Sequence, residues 1–270
     1  MMDYGDFSTL RVEVLDRVAW LTIDHPPINL FDMALIGEMT EVGTRLAADA
    51  EVGAVVLQSA DPDFFIAHAD VMLIQTITDS DPADDPPSSF FHAMTEQFRL
   101  MPKPTIGKIA GIARGGGLEL LAALDMRFCS LERTTLSQPE VTVGIIPGGG
   151  GSTRWPRLIG HGRAMELMIG GNDFDGATAE RFGMVNRAMP LSELDIFVEN
   201  FAKRVASFPP HAVALIKKVS LHQDRLQETL DFEHRAFMES ARHPEAVVAM
   251  QIFMENGGQT RAAELTGAFS

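Results

Sequence analysis

The chain has 270 residues, and a hydrophobic content of 46% supplies enough apolar side chain for a sizeable core, which excludes disorder of the whole chain. Against 37 acidic residues stand only 22 basic ones, and the net charge of −15 argues against wholesale binding to nucleic acid or to an anionic membrane surface. The single cysteine, Cys129, rules out an internal disulfide and points to a reduced, cytoplasmic compartment.

The first residues, Met1-Met2-Asp3-Tyr4-Gly5-Asp6, lack the basic and then apolar order of a secretory leader. Arg11 to Leu15 and Ala19 to Ile23 read as two strands, and after Pro26-Pro27 a helical pattern runs from Met33 to Ala48. Ala54 to Gln58 is a buried strand ending in an acidic turn. Asp79 to Ser89, dense in Asp, Pro and Ser, reads as a mobile surface loop able to cover a substrate entrance. Thr105 to Ala113 reads as one strand that breaks at Gly115-Gly116-Gly117, followed by a short apolar helix from Leu118 to Leu124. Lys108, Arg114 and Glu119 interrupt the best candidate for a bilayer-spanning stretch. Cys129, within Met126-Arg127-Phe128-Cys129, reads as a buried structural thiol rather than a nucleophile. Beyond Leu191 no strand-like run follows, and Leu194 to Ser207, Pro210 to His222 and Leu226 to Arg242 read as helices. Alternating strands and helices predict an α/β fold with ligands at strand ends, divided into a core, 1–190, and a helical C-terminal region, 191–270.

Two glycine-framed carboxylates stand out: Gly115-Gly116-Gly117-Leu118-Glu119, and Gln138-Pro139-Glu140 followed by Ile146-Pro147-Gly148-Gly149-Gly150-Gly151. The triple glycine serves either as a sharp strand-to-helix turn alone or as a helix start whose unpaired N–H groups stabilise an oxyanion. Neither cluster completes a G-x-G-x-x-G or a phosphate-binding loop, and the eight histidines form no H-E-x-x-H or comparable metal motif. Glu119 and Glu140, each beside apolar residues, are either structural carboxylates or an acid/base pair with pKa values raised by burial.

Four motifs then stand in order. They are Asp63-Phe64-Phe65-Ile66-Ala67-His68-Ala69-Asp70, Gly111-Ile112-Ala113-Arg114-Gly115-Gly116-Gly117-Leu118-Glu119-Leu120, Gln138-Pro139-Glu140, and Gly144-Ile145-Ile146-Pro147-Gly148. Their order and spacing, from Val12 to Asn186, resemble the enoyl-CoA hydratase/isomerase (crotonase) superfamily. The resemblance implies a spiral of repeated ββα units with a helical C-terminal region. It matches Ala67 and Gly116 to the oxyanion-hole donors, Glu119 and Glu140 to the acid/base pair, and Gly148 to the glycine that helps hold the attacking water. His68, Asp70, Gly115 and Pro139 complete the implied substrate site. The implied activity is hydration or dehydration across the 2,3 double bond of an enoyl-CoA thioester, with coenzyme A as part of the substrate and no separate cofactor or metal. Isomerisation and thioester hydrolysis are the rival reactions. A non-catalytic interaction protein would show eroded glutamates or glycines, which this chain retains, and the RNA-binding variants call for a basic aromatic surface, which it lacks. The family's usual assembly, a trimer or dimer of trimers, would place the helical end at the interfaces.

Three features depart from the family pattern. His68 stands where glycine is usual, and is a tolerated substitution, a pocket-shaping residue or a catalytic one. Phe253 to Arg261 lacks the basic motif that grips a coenzyme A phosphate, and His25-Pro26-Pro27-Ile28-Asn29-Leu30-Phe31 matches the family start loosely.

Overall fold

The computed structural model describes residues 4–5, 7–76, 89–221 and 226–267. Apart from Ser89, the loop predicted from Asp79 lies outside them.

An antiparallel hairpin, β1 (Leu10–Leu15) and β2 (Val18–Ile23), leads into α1 (Met33–Ala48). Asp32 caps α1 by accepting a hydrogen bond from Leu35 N–H at 2.9 Å, and Leu35, Ile36, Met39, Val42 and Leu46 recur on its buried face at helical spacing. Successive units follow, each with a strand in one sheet and a short strand in another. These are β3 (Ala54–Ser59) and β4 (Phe64–Ile66) with α2 (Val71–Gln75) and α3 (Phe90–Leu100), then β5 (Thr105–Ile109) and β6 (Ile112–Arg114) with α4 (Gly116–Ala123). Next come β7 (Met126–Ser130) and β8 (Thr135–Ser137), a 3-10 turn over Glu140–Val143, α5 (Gly151–Ile159) and α6 (His161–Gly170). After β9 (Phe174–Asp175), α7 (Gly176–Phe182) and β10 (Arg187–Met189), the chain is helical: α8 (Leu191–Ala206), α9 (Pro210–Leu221), α10 (Leu226–Ala241), α11 (Pro244–Glu255) and α12 (Arg261–Thr266).

The larger sheet has the order β1-β2-β3-β5-β7-β10, parallel from β2 onward, and the smaller has the order β4-β6-β8-β9. The single strand predicted from Thr105 to Ala113 is therefore two strands in different sheets. Both are buried, so the apolar run gives no periodic sign of the crossing. The crossing falls at Gly111, where a Cβ would lie 2.6 Å from the Asp63 carbonyl oxygen, and Ile112 N–H bonds that same oxygen at 2.8 Å.

Alternate residues of the larger sheet enter two cores. Ala19, Leu21, Ile23, Val55 and Leu57 face the helices α1, α3 and α4, in a core that also holds the fully buried Trp155 of α5. Val18, Ala54, Val56, Ile106 and Phe128 face the opposite way and are covered by Leu194, Val198, Ala202 and Ala206 of α8, with Trp20 packed at the edge. Thus α8, sequentially the first C-terminal helix, completes the sheet core. Among the described residues no helix is long and apolar enough to cross a membrane.

Packing of α4 positions the site. Leu121 occupies the space over Gly107 of β5, where a Cβ would lie 2.7 Å from its methyl carbon. Buried Arg127 donates to the carbonyls of Leu121 and Leu124 at 2.9 and 2.7 Å, satisfying the C-terminal end of the helix.

Candidate active site

α4 begins at Gly116, two residues before the predicted start, because the glycines turn the chain before the apolar run begins. Gly115 has φ 46° and ψ −124°, a conformation open mainly to glycine, and its N–H bonds Ser137 O at 3.0 Å. Gly117 backs onto β4, where a Cβ would approach Ile66 O to 2.5 Å. This contact brings the helix start against the loop after β4, and a Cβ on Gly116 would lie 3.4 Å from Ala69 N. Gly116, as the first helical residue, has no intrahelical acceptor, and among the described residues no backbone carbonyl takes its N–H or that of Ala69. Both residues line a cavity.

Ala67, matched above to an oxyanion donor, does not reach this place. Its N–H is taken by Ile28 O at 3.1 Å, and its side chain is fully buried with Ile28, Phe64 and Ile112. Ala69 is the residue that lies against Gly116, its Cβ 3.2 Å from where a Cβ on Gly116 would stand. Asp70 also lies off the cavity wall. It caps α2 through Met72 N–H at 2.9 Å and accepts from Gln259 Nε2 at 2.9 Å. His68, Gly115, Gly116, Glu119, Pro139, Glu140 and Gly148 do line the cavity, whose volume is about 240 Å³ and whose walls are otherwise largely apolar, with Phe31, Phe91, Val143, Ile145 and Phe237 prominent.

The carboxylates are held differently. Glu119, 4% exposed, projects from the first turn of α4, and its Oε1 accepts from Gly149 N–H at 2.7 Å and Gly151 N–H at 2.8 Å. Burial raises its pKa, the charge of Glu233 raises it further, and the two N–H groups and Arg154 pull it back, leaving it at about 7. Glu140 opens the 3-10 turn behind Pro139. The side-chain amide of Gln138, turned to donate, reaches its oxygens at 2.9 and 3.1 Å. Burial, then the charge of Glu119, holds Glu140 well above the usual carboxylate range. Two carboxyl groups with raised pKa values thus share one cavity, and of the two Glu119 is the one held by the glycine turn. Among the described residues, no group of three or more His, Cys, Asp or Glu is placed to hold a metal ion. Cys129 is buried away from this chemistry, and burial pushes its thiol up to about 12.

His68 is neither free in the cavity nor aimed at the carboxylates. Its Nδ1 lies 2.8 Å from Ala69 O and its Nε2 3.1 Å from Oε1 of Glu264 in α12, and the ring meets Phe253 edge to face. Glu264 is fully buried, accepts Gln259 N–H at 2.9 Å, and lies 3.8 Å from Arg114, whose guanidinium also holds Asp173. His68 thus ties the C-terminal helix to the loop carrying the Ala69 donor.

Sequence reasoning missed Glu233 and His92, buried beside Glu119. Glu233 of α10 accepts from Gly150 N–H, from Thr153 N–H at 2.6 Å and from His92 Nε2 at 3.2 Å. The signal was present: Leu226, Leu230, Glu233, His234, Met238 and Ala241 form the buried stripe of α10, so two ionisable residues occupy an apolar face. Phe237, from the same helix, packs its ring against Gly148 and leaves no room for a side chain there.

The family model for enoyl-CoA hydratase/isomerase matches residues 13–260. A probable mitochondrial enoyl-CoA hydratase of Dictyostelium discoideum is 30% identical over 255 residues, covering 93% of this chain and 90% of that protein. A probable enoyl-CoA hydratase of Rhizobium meliloti is 34% identical over 235 residues, covering 86% and 89%. A crystal structure from Streptomyces avermitilis, named as a candidate enoyl-CoA hydratase, superposes with a TM-score of 0.88 at 38% identity over 98% of both chains. With the paired sheets, the glycine-started helix and the two glutamates of the cavity, these matches show that the chain belongs to the enoyl-CoA hydratase/isomerase family and has the crotonase fold.

Proposed function

We propose that the protein is a hydro-lyase that adds water across the 2,3 double bond of a 2-enoyl-CoA thioester, or removes it. The observation that carries this reading is the placement of Glu119 and Glu140, both with pKa values raised, in an apolar cavity beside the N–H groups of Ala69 and Gly116, which among the described residues meet no backbone acceptor. The N–H groups of Ala69 and Gly116 bind the thioester oxygen and stabilise the enolate that develops when C3 is attacked. Ionised Glu119 takes a proton from water as its oxygen bonds to C3, and protonated Glu140 delivers a proton to C2. The reverse sequence removes water. Coenzyme A enters as part of the substrate, and no other cofactor has a role in the scheme. The aromatic and aliphatic walls favour an apolar acyl group.

A panel of 2-enoyl-CoA thioesters followed by mass spectrometry tests the proposal. The expected product gains one water; an isomer or free coenzyme A would replace hydration with another reaction of the same family.

A homotrimer, or a dimer of trimers, in a cytoplasmic compartment forms part of the same proposal. It is supported by the exposure of Ile216 and Val219 on α9, Phe232 on α10 and Val248 on α11, apolar side chains on the helices after α8. Sedimentation of the purified protein checks the assembly.

A further inference from the structure

The turn that holds Glu119 holds a second buried carboxylate as well. Of the N–H groups from Gly149 to Thr153, those of Gly149 and Gly151 go to Glu119, and those of Gly150 and Thr153 go to Glu233. The two glutamates come from α4 and α10 and grip the same turn at the start of α5. The glycines make this possible: a Cβ on Gly149 would lie 2.5 Å from Glu119 Oε2, and one on Gly151 would lie 2.8 Å from Glu119 Oε1.

This arrangement solves a chemical problem. A carboxylate accepting two N–H bonds at a helix N-terminus is stabilised as an anion, which makes it a weak base. A base for water addition needs the opposite. A second anion on the alternate N–H groups takes up half of the donors and repels the first, raising its affinity for a proton. Neighbouring charges do not cancel this. Arg154 of α5 donates to Glu96 at 2.7 Å, Thr95 at 3.1 Å and Gly149 O at 3.0 Å, and Glu96 also pairs with Arg99. From α3, His92 contacts Glu233 at 3.2 Å, and its ring lies 5.9 Å from that of His234, the next residue of α10.

We propose that Glu233 is a positioning residue for the hydration reaction, aiming Glu119 through the shared Gly149–Thr153 turn and strengthening it as a base by a like charge held across that turn. The inference rests on the assignment of Glu119 as the base.

The test measures kcat/KM against pH for hydration, together with the titration of the Glu119 side-chain carboxyl followed by carbon-13 NMR in substrate-free protein. Glu233→Gln removes the charge and should move the acid limb and the NMR titration of Glu119 down by about one pH unit. Maximal turnover should fall about tenfold as the base weakens. Glu233→Asp keeps the charge but retracts the carboxylate, so it should lower turnover while leaving the limb in place. His92→Phe deletes the hydrogen bond to Glu233, leaves more of its charge to act on Glu119, and should move the limb upward. If Glu233→Gln does not fold, the last two variants decide. An acid limb and NMR titration unchanged in every folded variant that alters the charge or its compensation would reduce Glu233 to a cap for α5. The base assignment itself fails separately, if Glu119→Gln turns over like the wild type, and the NMR titration still reports on Glu233 in that event.

Discussion

One wall of the cavity is built from short segments around Ala69 and residues 115–119 and 139–151, and a second from α10 and from His68, which bonds Glu264 of α12. The first wall carries the backbone donors and both glutamates of the proposed reaction. The second carries Glu233, Phe237 and Glu264, which act on the first through a turn, a glycine and a histidine. Chemistry needs fixed backbone geometry, which adjacent strand ends and a helix start supply; adjustment of that chemistry needs only a charge or a ring brought close, which a distant helix can deliver. Substitutions on the first wall should therefore abolish rate, and those on the second should shift stability, pH dependence or substrate choice.

The largest expected effects separate the walls most sharply. Glu119→Gln and Glu140→Gln should each lower turnover by about 100- to 10,000-fold with acyl-CoA binding intact. For Glu119 both backbone hydrogen bonds go to Oε1, so glutamine keeps them and loses only the exchangeable proton. Steady-state turnover and calorimetric binding check this; equal turnover in both variants and wild type would remove the hydratase assignment.

Gly116→Pro comes next. At the first position of α4 proline is tolerated by the helix but deletes the N–H proposed to bind the thioester oxygen. The expected cost is about 3 to 4 kcal/mol in transition-state stabilisation, measured as kcat/KM, with the melting temperature near that of wild type. Normal activity in a folded variant would place the carbonyl elsewhere.

His68→Gly probes the second wall. It deletes the buried partner of Glu264, leaving that carboxylate with Gln259 N–H and a more distant Arg114. A stability loss of about 3 kcal/mol by urea unfolding is expected. The preference among acyl chains should change more than the rate on the best substrate, because the cavity gains volume beside the Ala69 loop. A uniform collapse of rate with unchanged melting would make His68 part of the first wall instead.

The smallest effect is thermodynamic. The pKa of Glu119 is raised from 4.5 to about 7 in the folded protein, so the folded state binds this proton more tightly than the unfolded one. Its contribution to stability is full below the unfolded pKa and is lost as pH rises through about 7. Glu119→Gln should flatten that fall, gaining on wild type by roughly 1 to 3 kcal/mol between pH 5 and pH 8. Urea midpoints at the two pH values check it; a wild type whose stability rises over this interval, with the variant rising in parallel, would contradict the raised pKa.

Legibility in the sequence follows the same division. The strands β1 to β3, helix α1 and the glycine-started α4 were readable because their signals are local: apolar strand runs, helical spacing, and glycines where the chain turns. The break at Gly111 was not, since a strand buried in either sheet has the same apolar pattern. α3 escaped because its start signal is the single cap Ser89, which bonds His92 N–H at 3.0 Å at the end of a polar stretch. In the site, Glu119, Glu140 and Gly116 could be named from motif position, but the choice between Ala67 and Ala69 depends on which N–H Ile28 takes, a contact between distant segments. Glu233 and Glu264 lie 114 and 145 positions beyond Glu119, and only folding shows what they face.

The two tryptophans occupy the two cores separately. Trp155 is sealed inside α5, four residues beyond Gly151, one of the two glycines that bond Glu119, whereas Trp20 lies half-buried at the edge of the layer under α8. Their fluorescence therefore divides by place: a blue-shifted, quencher-resistant emitter behind the glycine turn, and a redder, acrylamide-accessible one at the back of the larger sheet. Replacing Trp20 by phenylalanine leaves a chain whose tryptophan emission, excited to the red of Tyr4 absorption, comes from the active-site side alone, so loosening of the turn can be followed optically without any added label.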